Sequence, residues 1–315
     1  MNSAHPHKRT NVRLINAAVW LAEKLAPRWV EEKAIALWAR PQKTSAKWGE
    51  ALRKARAFRL EASDRSLAAW EWNVGGPRGT ALLVHGWSGN ASQLSSFIEP
   101  LVARGYHVLA FDLPAHGAND GDFVTLPLLA HTLAELGHRV RPRVVVAHSL
   151  GATATSYAMT LGLRPERLAL LAPPAQVPPY LTHFAQQAGL SVEMQARLLR
   201  RVEQLIGRPV AELDLRRHAP GFGDVRALVV HDRGDVVVPV ESSRELVSLW
   251  PGARLVVTEG LSHDRIRRDA AVVEQVVHFV TGQSGEVGAA LELEPGVDQL
   301  PNSASRLFMS LSSVA

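Results

Sequence analysis

The sequence predicts an α/β fold with a mostly parallel central sheet flanked by helices on both faces. Apolar, β-branched-rich runs of strand length alternate with stretches of helical length, which is typical of parallel strands joined by crossover helices. Two of these runs, Val144–Val146 and Ala227–Val230, are apolar throughout, as strands buried on both faces require. The chain has 315 residues, of which 46% are hydrophobic and 21% charged, so it can bury one large core.

Eight strands and five crossover helices follow from this pattern. The first two strands flank a polar turn at residues 63–66, and the other strands alternate with the helices. The predicted strands are Ala57–Glu61, Ala68–Trp72, Ala81–Val84, His107–Phe111, Val144–Val146, Leu168–Leu171, Ala227–Val230 and Arg254–Val257. The predicted helices lie at about residues 92–104, 124–137, 150–162, 241–250 and 269–281.

The alternation is interrupted once and ends before the chain does. Between Pro173 and Gly223 no strand pattern occurs, and two helical patterns there predict a small lid above the sheet. The end of the chain is rich in Gly, Ser, Pro and acidic residues, which predicts disorder. The expected organisation is an N-terminal helical segment at residues 1–56, an α/β domain at 57–282 with the lid insertion at 174–222, and a disordered tail at 283–315.

The N-terminal segment is basic and amphipathic. Residues 1–60 carry thirteen Lys and Arg against four acidic residues, a net charge of +9, whereas residues 61–315 carry −4. Apolar residues recur at helical spacing over residues 12–39, with an interruption at Pro27. Such a helix can lie on an anionic membrane surface, or it can pack on the globular body or on a second copy. Nucleic acid is not an expected partner, because no nucleic-acid-binding motif accompanies the charge.

Three strand ends carry polar residues in patterns that indicate chemistry. The fifth predicted strand runs into Ala147–Gly151 (AHSLG), where small residues on either side of Ser149 allow a sharp turn from strand into helix. The third strand ends in His85–Trp87 (HGW), and the fourth is followed by Asp112–Gly117 (DLPAHG). Glycine and small residues at such turns let a polar group stand at the edge of the sheet.

Two later strand ends supply acidic and basic side chains. The seventh strand leads into His231–Pro239 (HDRGDVVVP), which contains Asp232 and Asp235, and the eighth leads into a loop that contains His263. The carboxyl ends of parallel strands meet at one edge of a sheet. A serine, an aspartate and a histidine are therefore expected close together there.

In this order, the motifs resemble those of the α/β-hydrolase fold superfamily, specifically its esterase- and lipase-like serine hydrolases with a small lid. AHSLG is similar to the nucleophile elbow G-x-S-x-G, with Ala147 in place of the first glycine. DLPAHG is similar to the family's D-x-P-G-H-G, with Ala115 in place of glycine, and HDRGDVVVP is similar to its acid loop H-x-x-x-D-x-x-V-P. The resemblance spans about residues 57–282, and Ser…Asp…His is the chain order of this fold.

The resemblance implies a role for each of these residues. The implied roles are nucleophile for Ser149, general base for His263, and orienting acid for Asp235 with Asp232 as the competitor. The backbone N–H groups of Trp87 and Leu150 would form the oxyanion hole. A serine hydroxyl needs an imidazole to accept its proton, and a carboxylate on the other ring nitrogen fixes the tautomer. We expect structural roles for His85, Asp112 and His116.

The sequence thus predicts a serine hydrolase that cleaves carboxylic esters of small molecules through an acyl-enzyme. The apolar lid favours an acyl-chain or aromatic ester, and the residues expected to contact it are Trp87, His148, Tyr180 and Phe184. Thioesterase, lactonase and amidase or peptidase activities use the same three residues, so they stay open. A non-enzymatic protein that binds a ligand or a partner on the same scaffold is the alternative from another class.

Other chemistries lack their sequence signatures. The chain has no cysteine, no H-E-x-x-H and no phosphate-binding glycine motif at a strand–helix junction, so no metal and no cofactor are expected. No apolar run approaches the ~20 residues of a transmembrane helix, and no secretory signal pattern opens the chain. We expect a cytoplasmic protein, with peripheral membrane association or a homodimer through residues 1–56 as further possibilities.

Overall fold

A nine-stranded sheet forms the centre of the larger of two structural units. The computed structural model describes residues 17–43, 50–223, 225–282 and 292–294. The larger unit comprises Gln42–Ala175 and the described residues from Leu215 onward, and the smaller comprises Gln176–Asp214 and the described residues up to Pro41. The chain therefore leaves the larger unit after Ala175 and returns to it at Leu215.

The sheet confirms the predicted fold class. Its strands are β1 Arg56–Ala62, β2 Arg65–Trp72, β3 Thr80–Val84, β4 His107–Phe111, β5 Val144–His148, β6 Arg167–Leu171, β7 Arg226–Asp232, β8 Ala253–Thr258 and β9 Glu292–Glu294. Their order across the sheet is β1-β2-β4-β3-β5-β6-β7-β8-β9. Strands β3 to β8 are parallel to one another, while β1, β2 and β9 run antiparallel to a neighbour. The eight predicted strands are β1 to β8.

Strand β9 lies in the range that we expected as a disordered tail. Its backbone pairs with β8, with Leu293 opposite Val256. The sequence pattern did not predict this strand, because three residues are too few to show an alternation. The rest of the expected tail lies outside the described residues.

The helices occupy most of the predicted positions. They are α1 (residues 17–25), α2 Pro27–Trp38, α3 Glu50–Arg53, α4 Ile98–Ala103, α5 Leu126–Val140, α6 Leu150–Thr160, α7 Pro178–Gln187, α8 Val192–Ile206, α9 Leu215–His218, α10 Glu241–Ser248, α11 Ser262–Arg265 and α12 Ala270–Thr281. The five predicted crossover helices correspond to α4, α5, α6, α10 and α12. No helix among the described residues is both long and apolar enough to cross a membrane.

Alternate residues of the strands pack on opposite faces of the sheet. On one face, Leu83 and Val146 belong to a buried cluster that includes side chains of α4 and α12. Their chain neighbours Leu82 and Val145 are equally buried, and α6 and α10 contact the strands. Because successive side chains of a strand point to opposite faces, these neighbours lie on the α6 side. Burial on both faces explains why the strands are apolar throughout.

The parallel strands bring four loops to one edge of the sheet. The carboxyl ends of β3, β5, β7 and β8 lie at that edge, since these strands pair in parallel register. The four loops that follow them carry His85–Trp87, Ser149, Asp235 and His263. The fold therefore places these four motifs at the same end of the larger unit.

The smaller unit is helical. In it α2 packs on α7 and α8, burying Val30 and Ala34 on α2 and Leu198 on α8. The Ser191 hydroxyl accepts a hydrogen bond from the first turn of α8, and Gly207 ends that helix in a left-handed conformation. This unit contains both predicted helices of the lid. A function as a lid stays a prediction.

Candidate active site

Ser149 stands on a sharp turn between β5 and α6. Its backbone has φ 52° and ψ −129°, a conformation that costs free energy for a residue with a side chain. Its N–H donates to the Leu171 carbonyl at 2.8 Å, which attaches the turn to the neighbouring strand β6. The Ser149 side chain is partly exposed. The turn therefore presents the hydroxyl at the edge of the sheet, while its backbone stays hydrogen-bonded to β6.

The two small residues around Ser149 have different functions. Ala147, which stands where the resembled motif has glycine, is a buried residue of β5. At Gly151, by contrast, a Cβ atom would lie 2.1 Å from the His85 carbonyl oxygen. Glycine is thus required at 151, where α6 approaches the backbone after β3, and alanine is accommodated at 147.

A continuous chain of hydrogen bonds joins Ser149, His263 and Asp235. The Ser149 Oγ lies 2.9 Å from Nε2 of His263, and Nδ1 of His263 lies 2.6 Å from Oδ2 of Asp235. Both nitrogens of the imidazole are therefore engaged, one by a hydroxyl and one by a carboxylate. This arrangement allows the ring to accept the serine proton on Nε2 while Nδ1–H donates to the carboxylate.

The carboxylate of Asp235 is buried, and both of its oxygens accept hydrogen bonds. Its Oδ1 accepts hydrogen bonds from the N–H groups of Val237 and Val238, at 2.8 and 2.9 Å. Burial alone would raise the pKa of Asp235, but hydrogen bonds from His231 and His263 and the Val238 amide hold that pKa well below its usual range. Asp235 therefore stays ionised and can stabilise a positive charge on His263.

Asp232, the competing acid in the sequence, accepts hydrogen bonds from backbone amides and a threonine hydroxyl instead of from the imidazole. Its Oδ2 accepts from the Thr258 hydroxyl and the Leu261 N–H, at 2.9 and 2.8 Å, and its Oδ1 accepts from the Gly234 N–H. Leu261 lies two residues before His263. Asp232 thus fastens the loop that carries His263 to the end of β7, and the structure places only Asp235 on the imidazole.

His148 also holds the loop of His263. Its Nε2–H donates to the His263 carbonyl oxygen at 3.0 Å, and the two rings are 4.9 Å apart. Its Nδ1 lies 3.4 Å from Oε1 of Gln93. Burial lowers the pKa of His148 to about 3, so the ring is neutral. We expected His148 to contact a substrate, whereas the structure surrounds its ring with protein groups, because the side chain points down from the turn into the core.

The two backbone amides expected at an oxyanion hole belong to the residues that follow Ser149 and Gly86 in the chain. Leu150 is the first residue of α6, so its N–H has no carbonyl partner within the helix. The Gly86 N–H donates to Oε1 of Gln93 at 2.7 Å, and Trp87 follows Gly86 in the chain. Gln93 therefore fixes the backbone that leads into the Trp87 amide.

His85 confirms the structural role that we expected for it. Its Nδ1–H donates to the Gly86 carbonyl and its Nε2 accepts from the Leu113 N–H, at 2.8 and 2.9 Å. Burial lowers the pKa of His85 to about 3. The neutral ring, hydrogen-bonded through both nitrogens, thus links the loop after β3 to the loop after β4.

The loop after β4 is built around Asp112, which also has a structural role. The carboxylate accepts hydrogen bonds from the N–H groups of Ala91 and Ala118, both at 2.7 Å, and burial raises its pKa. In the same loop Ala115 has a φ of 63°, in the left-handed region that favours glycine. His116 is buried, and its ring packs edge-on against Trp87.

The predicted substrate contacts are divided between the two units. Trp87 is partly exposed in the larger unit, next to the serine turn. Tyr180 and Phe184 lie on α7 of the smaller unit and are partly exposed there. Their contact with a substrate stays a prediction. Among the described residues, no group of three or more histidine or carboxylate side chains is arranged to hold a metal ion.

Gln93 and His231 are residues of the site that the sequence analysis did not single out. His231 is fully buried, with Nε2 at 2.8 Å from the Val238 carbonyl and at 3.5 Å from Oδ2 of Asp235. The first position of the acid motif was a signal for His231, since the motif begins with that residue. Gln93 had no such signal, because it lies 55 residues before His148 in the chain.

The sequence matches that of a known protein family. A model of the alpha/beta hydrolase family matches residues 81–276, which is more than half of the chain. Among curated proteins, none matches the sequence.

Several solved structures share the fold at low sequence identity. An esterase from Pyrococcus furiosus is 18% identical with a TM-score of 0.58, covering 78% of this chain and 97% of its own. A serine hydrolase from Cycloclasticus zankles is 15% identical with a TM-score of 0.55, covering 72% and 98%. A bacterial membrane phospholipase A is 16% identical with a TM-score of 0.55, covering 88% and 99%. With the family match over most of the sheet, these likenesses lead to one conclusion: the chain belongs to the alpha/beta hydrolase family.

Proposed function

We propose that this protein is a serine hydrolase that cleaves carboxylic esters through an acyl-enzyme on Ser149. In this proposal His263 is the general base and acid, Asp235 orients it, and the amides of Trp87 and Leu150 bind the oxyanion. The observation that carries the proposal is the unbroken hydrogen-bonded chain from the Ser149 hydroxyl to the buried Asp235 carboxylate.

The geometry supports each step of such a reaction. Ser149 Oγ attacks the ester carbonyl as its proton passes to Nε2 of His263, 2.9 Å away. The carbonyl oxygen becomes an oxyanion, which two preorganised amides can stabilise; the loss of one such donor costs about 10²–10³-fold in rate. The imidazolium then gives its proton to the departing alkoxide, and the alcohol leaves an acyl group on Ser149.

Water completes the cycle by the reverse use of the same groups. His263 accepts a proton from water, and the resulting hydroxide attacks the acyl carbonyl. Collapse of the second tetrahedral intermediate returns the proton from His263 to Ser149 Oγ and releases the carboxylic acid. Asp235 stays ionised throughout, which its several hydrogen bonds favour.

An ester substrate is the choice that the comparisons support best. The similar structures include an esterase and a phospholipase A, both of which act on carboxylic esters. Trp87, next to the proposed oxyanion site, is proposed to contact an apolar acyl or aromatic group. His148 is not included, because its ring is buried against His263 and Gln93.

The decisive experiment combines active-site labelling with an ester panel. A fluorophosphonate probe should label the wild-type protein on Ser149 and fail to label Ser149→Ala. The matched control is Ser156→Ala, because Ser156 is a buried serine of α6, the helix that follows Ser149, and its hydroxyl donates to the Ala152 carbonyl. Labelling and hydrolysis by Ser156→Ala should stay near the wild-type level.

The panel separates the ester from its alternatives. We expect hydrolysis of p-nitrophenyl esters of graded acyl length, with slower turnover of a matched thioester and p-nitroanilide. If wild type and Ser149→Ala showed the same negligible rate on every substrate and neither was labelled, the proposed function would be wrong. If Ser149 were labelled but only the thioester or the anilide were cleaved, Ser149 would still be the nucleophile, and the proposed ester substrate would be wrong.

A further inference from the structure

The outer surface of the first two helices exposes large apolar side chains in a regular row. Leu21, Leu25, Trp29 and Leu37 follow at intervals of four or eight residues and are 50%, 75%, 56% and 67% exposed. Trp20 lies beside the row and is 57% exposed. Isolated exposed apolar residues are common, but five large ones on two successive helices, two of them tryptophans, are typical of an interaction surface.

Basic side chains accompany this row. The exposed charged residues of α1 and α2 are Lys24, Arg28, Glu32 and Lys33, three of them basic. The Lys33 ammonium lies 6.0 Å from the centre of the Trp29 ring, so charge and aromatic surface are adjacent. We call this surface, formed by Trp20, Leu21, Lys24, Leu25, Arg28, Trp29, Lys33 and Leu37, the α1–α2 face.

The acidic residues on the opposite side of these helices hold the face outward. Glu23 accepts a hydrogen bond from the Ser191 N–H at 2.9 Å, and Glu31 pairs with Arg197 at 2.8 Å. Val30 and Ala34 are buried on the same inner side. Glu23 and Glu31 are thus engaged by α8 and its N-cap residue, and the exposed Glu32 stands against three exposed basic residues, so the outer surface keeps a net positive charge.

We propose that the α1–α2 face binds the surface of an anionic phospholipid bilayer. Tryptophan and leucine favour the boundary between headgroups and acyl chains, and lysine and arginine at its edge meet the lipid phosphates. Each basic residue near an anionic surface strengthens binding about fivefold. The helices lie on the bilayer and do not cross it, since neither is long and apolar enough to span it.

The charge of the face argues against a second copy as its occupant. In a symmetric dimer the same patch occurs on both subunits, so a face whose exposed charges are three basic and one acidic would meet a face of the same net positive charge. An anionic bilayer supplies the opposite charge to the three basic residues at once. A self-association surface is therefore the competing outcome of the test.

Vesicle flotation with the full chain tests the proposal directly. We expect the protein to float with vesicles of phosphatidylcholine mixed with phosphatidylglycerol and to stay unbound with phosphatidylcholine alone. Salt should weaken the binding, because it screens exposed charges. Brominated acyl chains should quench part of the tryptophan fluorescence, and this quenching should diminish in Trp20→Ala/Trp29→Ala.

Paired variants separate the face from general surface effects. Leu25→Glu/Trp29→Glu and Lys24→Glu/Arg28→Glu should each lower vesicle binding by at least about tenfold. The matched controls lie on α8 of the same unit, where Leu205 is 43% exposed and Arg200 is exposed. Leu205→Glu and Arg200→Glu should bind within about twofold of wild type. Thermal melting by circular dichroism establishes that every variant is folded.

Three results would overturn the proposal. They are absence of binding to anionic vesicles, equal losses in the face and control variants, and wild-type dimers that the face variants convert to monomers without any effect of lipid. The last result would assign the face to a second copy. None of these readouts uses hydrolysis, so the proposed reaction at Ser149 stands or fails separately.

Discussion

The edge of the sheet in the larger unit and the α1–α2 face of the smaller unit are built in opposite ways. At the sheet edge, polar side chains such as Asp235, His148 and Asp112 are buried, and each is held by several protein groups. On the α1–α2 face, apolar side chains such as Leu25 and Trp29 are exposed. The sheet edge buries polar groups that water would solvate, and the α1–α2 face exposes apolar groups that would be more stable out of water.

The difference teaches how each region relates to its partner. Buried polar groups whose hydrogen bonds are all made have fixed positions before a substrate binds. Electrostatic stabilisation of a transition state requires such preorganised groups. Exposed apolar groups gain their stabilisation only when another surface covers them. Changes at the sheet edge should therefore alter rates and pH dependence strongly, whereas changes behind the α1–α2 face should alter stability weakly.

The largest effect is expected from a pair of neighbouring aspartates. Asp235→Asn leaves His263 without an ionised partner, so kcat should fall by about 10⁴-fold. Asp232→Asn should instead lower stability by about 1–3 kcal/mol, because its amide cannot accept all the hydrogen bonds that Asp232 now accepts. Measurements of kcat and the urea midpoint check both. A greater loss of kcat in Asp232→Asn than in Asp235→Asn would reverse the assignment of the acid.

Acid should destabilise the larger unit through its buried histidines. Burial lowers the pKa of His85 and His148 to about 3 and that of His116 to about 4, so below the ordinary value of 6.5 the unfolded chain binds more protons than the folded one. Stability is therefore full above pH 6.5 and falls as the pH drops towards 4. The loss approaches about 1.4 kcal/mol per pH unit for each histidine.

Urea unfolding at a series of pH values measures this loss. His116→Gln is the control, since it removes one of the three groups and should reduce the pH slope by about a third. A urea midpoint that did not change between pH 7 and pH 5 would show that these rings are not neutral and buried. The described part of the smaller unit has no buried histidine and should not add to the slope.

Two alanines that stand where the family has glycine should respond differently to glycine. Ala147 is an ordinary buried strand residue, so Ala147→Gly should cost about 1–2 kcal/mol in lost burial and chain entropy. Ala115 is equally buried but has a left-handed backbone, whose relief should offset most of that cost in Ala115→Gly. Equal destabilisation of the two variants in urea would mean that the backbone of Ala115 carries no strain.

The smallest effect is expected behind the α1–α2 face. Glu31→Gln removes the charge that pairs with Arg197 and should destabilise the smaller unit by about 0.5–1 kcal/mol. Faster hydrogen exchange of the α2 amides would report this change. Glu193→Gln, at an exposed carboxylate of α8, is the control and should leave that exchange unchanged. Slower ester hydrolysis in Glu31→Gln would show that changes behind the α1–α2 face also affect the reaction at the sheet edge.

The fold was predictable because buried parallel strands leave a clear pattern. Val144–Val146 could be placed in the middle of the sheet from its composition alone, and the strand-then-helix context of Ser149 identified the turn. The order of the motifs also located His263 and both candidate acids. These features depend on local sequence, which is why a single chain reveals them.

The remaining details depend on contacts between distant segments. The choice between Asp232 and Asp235 follows from which carboxylate the turn after β7 aims at His263, and three residues of spacing do not determine that direction. The burial of His148 depends on Gln93, and the outward direction of Trp29 depends on the pairing of Glu31 with Arg197. No local pattern encodes these pairings, so the sequence left His148 as a substrate contact and the N-terminal helix without a defined orientation.

The loop of His263 is held from two strands at once, and this has a consequence for motion. Asp232 at the end of β7 binds the Leu261 amide, and His148 at the end of β5 binds the His263 carbonyl. Thermal displacement of the loop must therefore follow the displacement of these strand ends. Because Ser149 and Asp235 extend from the same two strands, we expect the three groups to fluctuate together, so that the distances between them vary less than the position of any one of them.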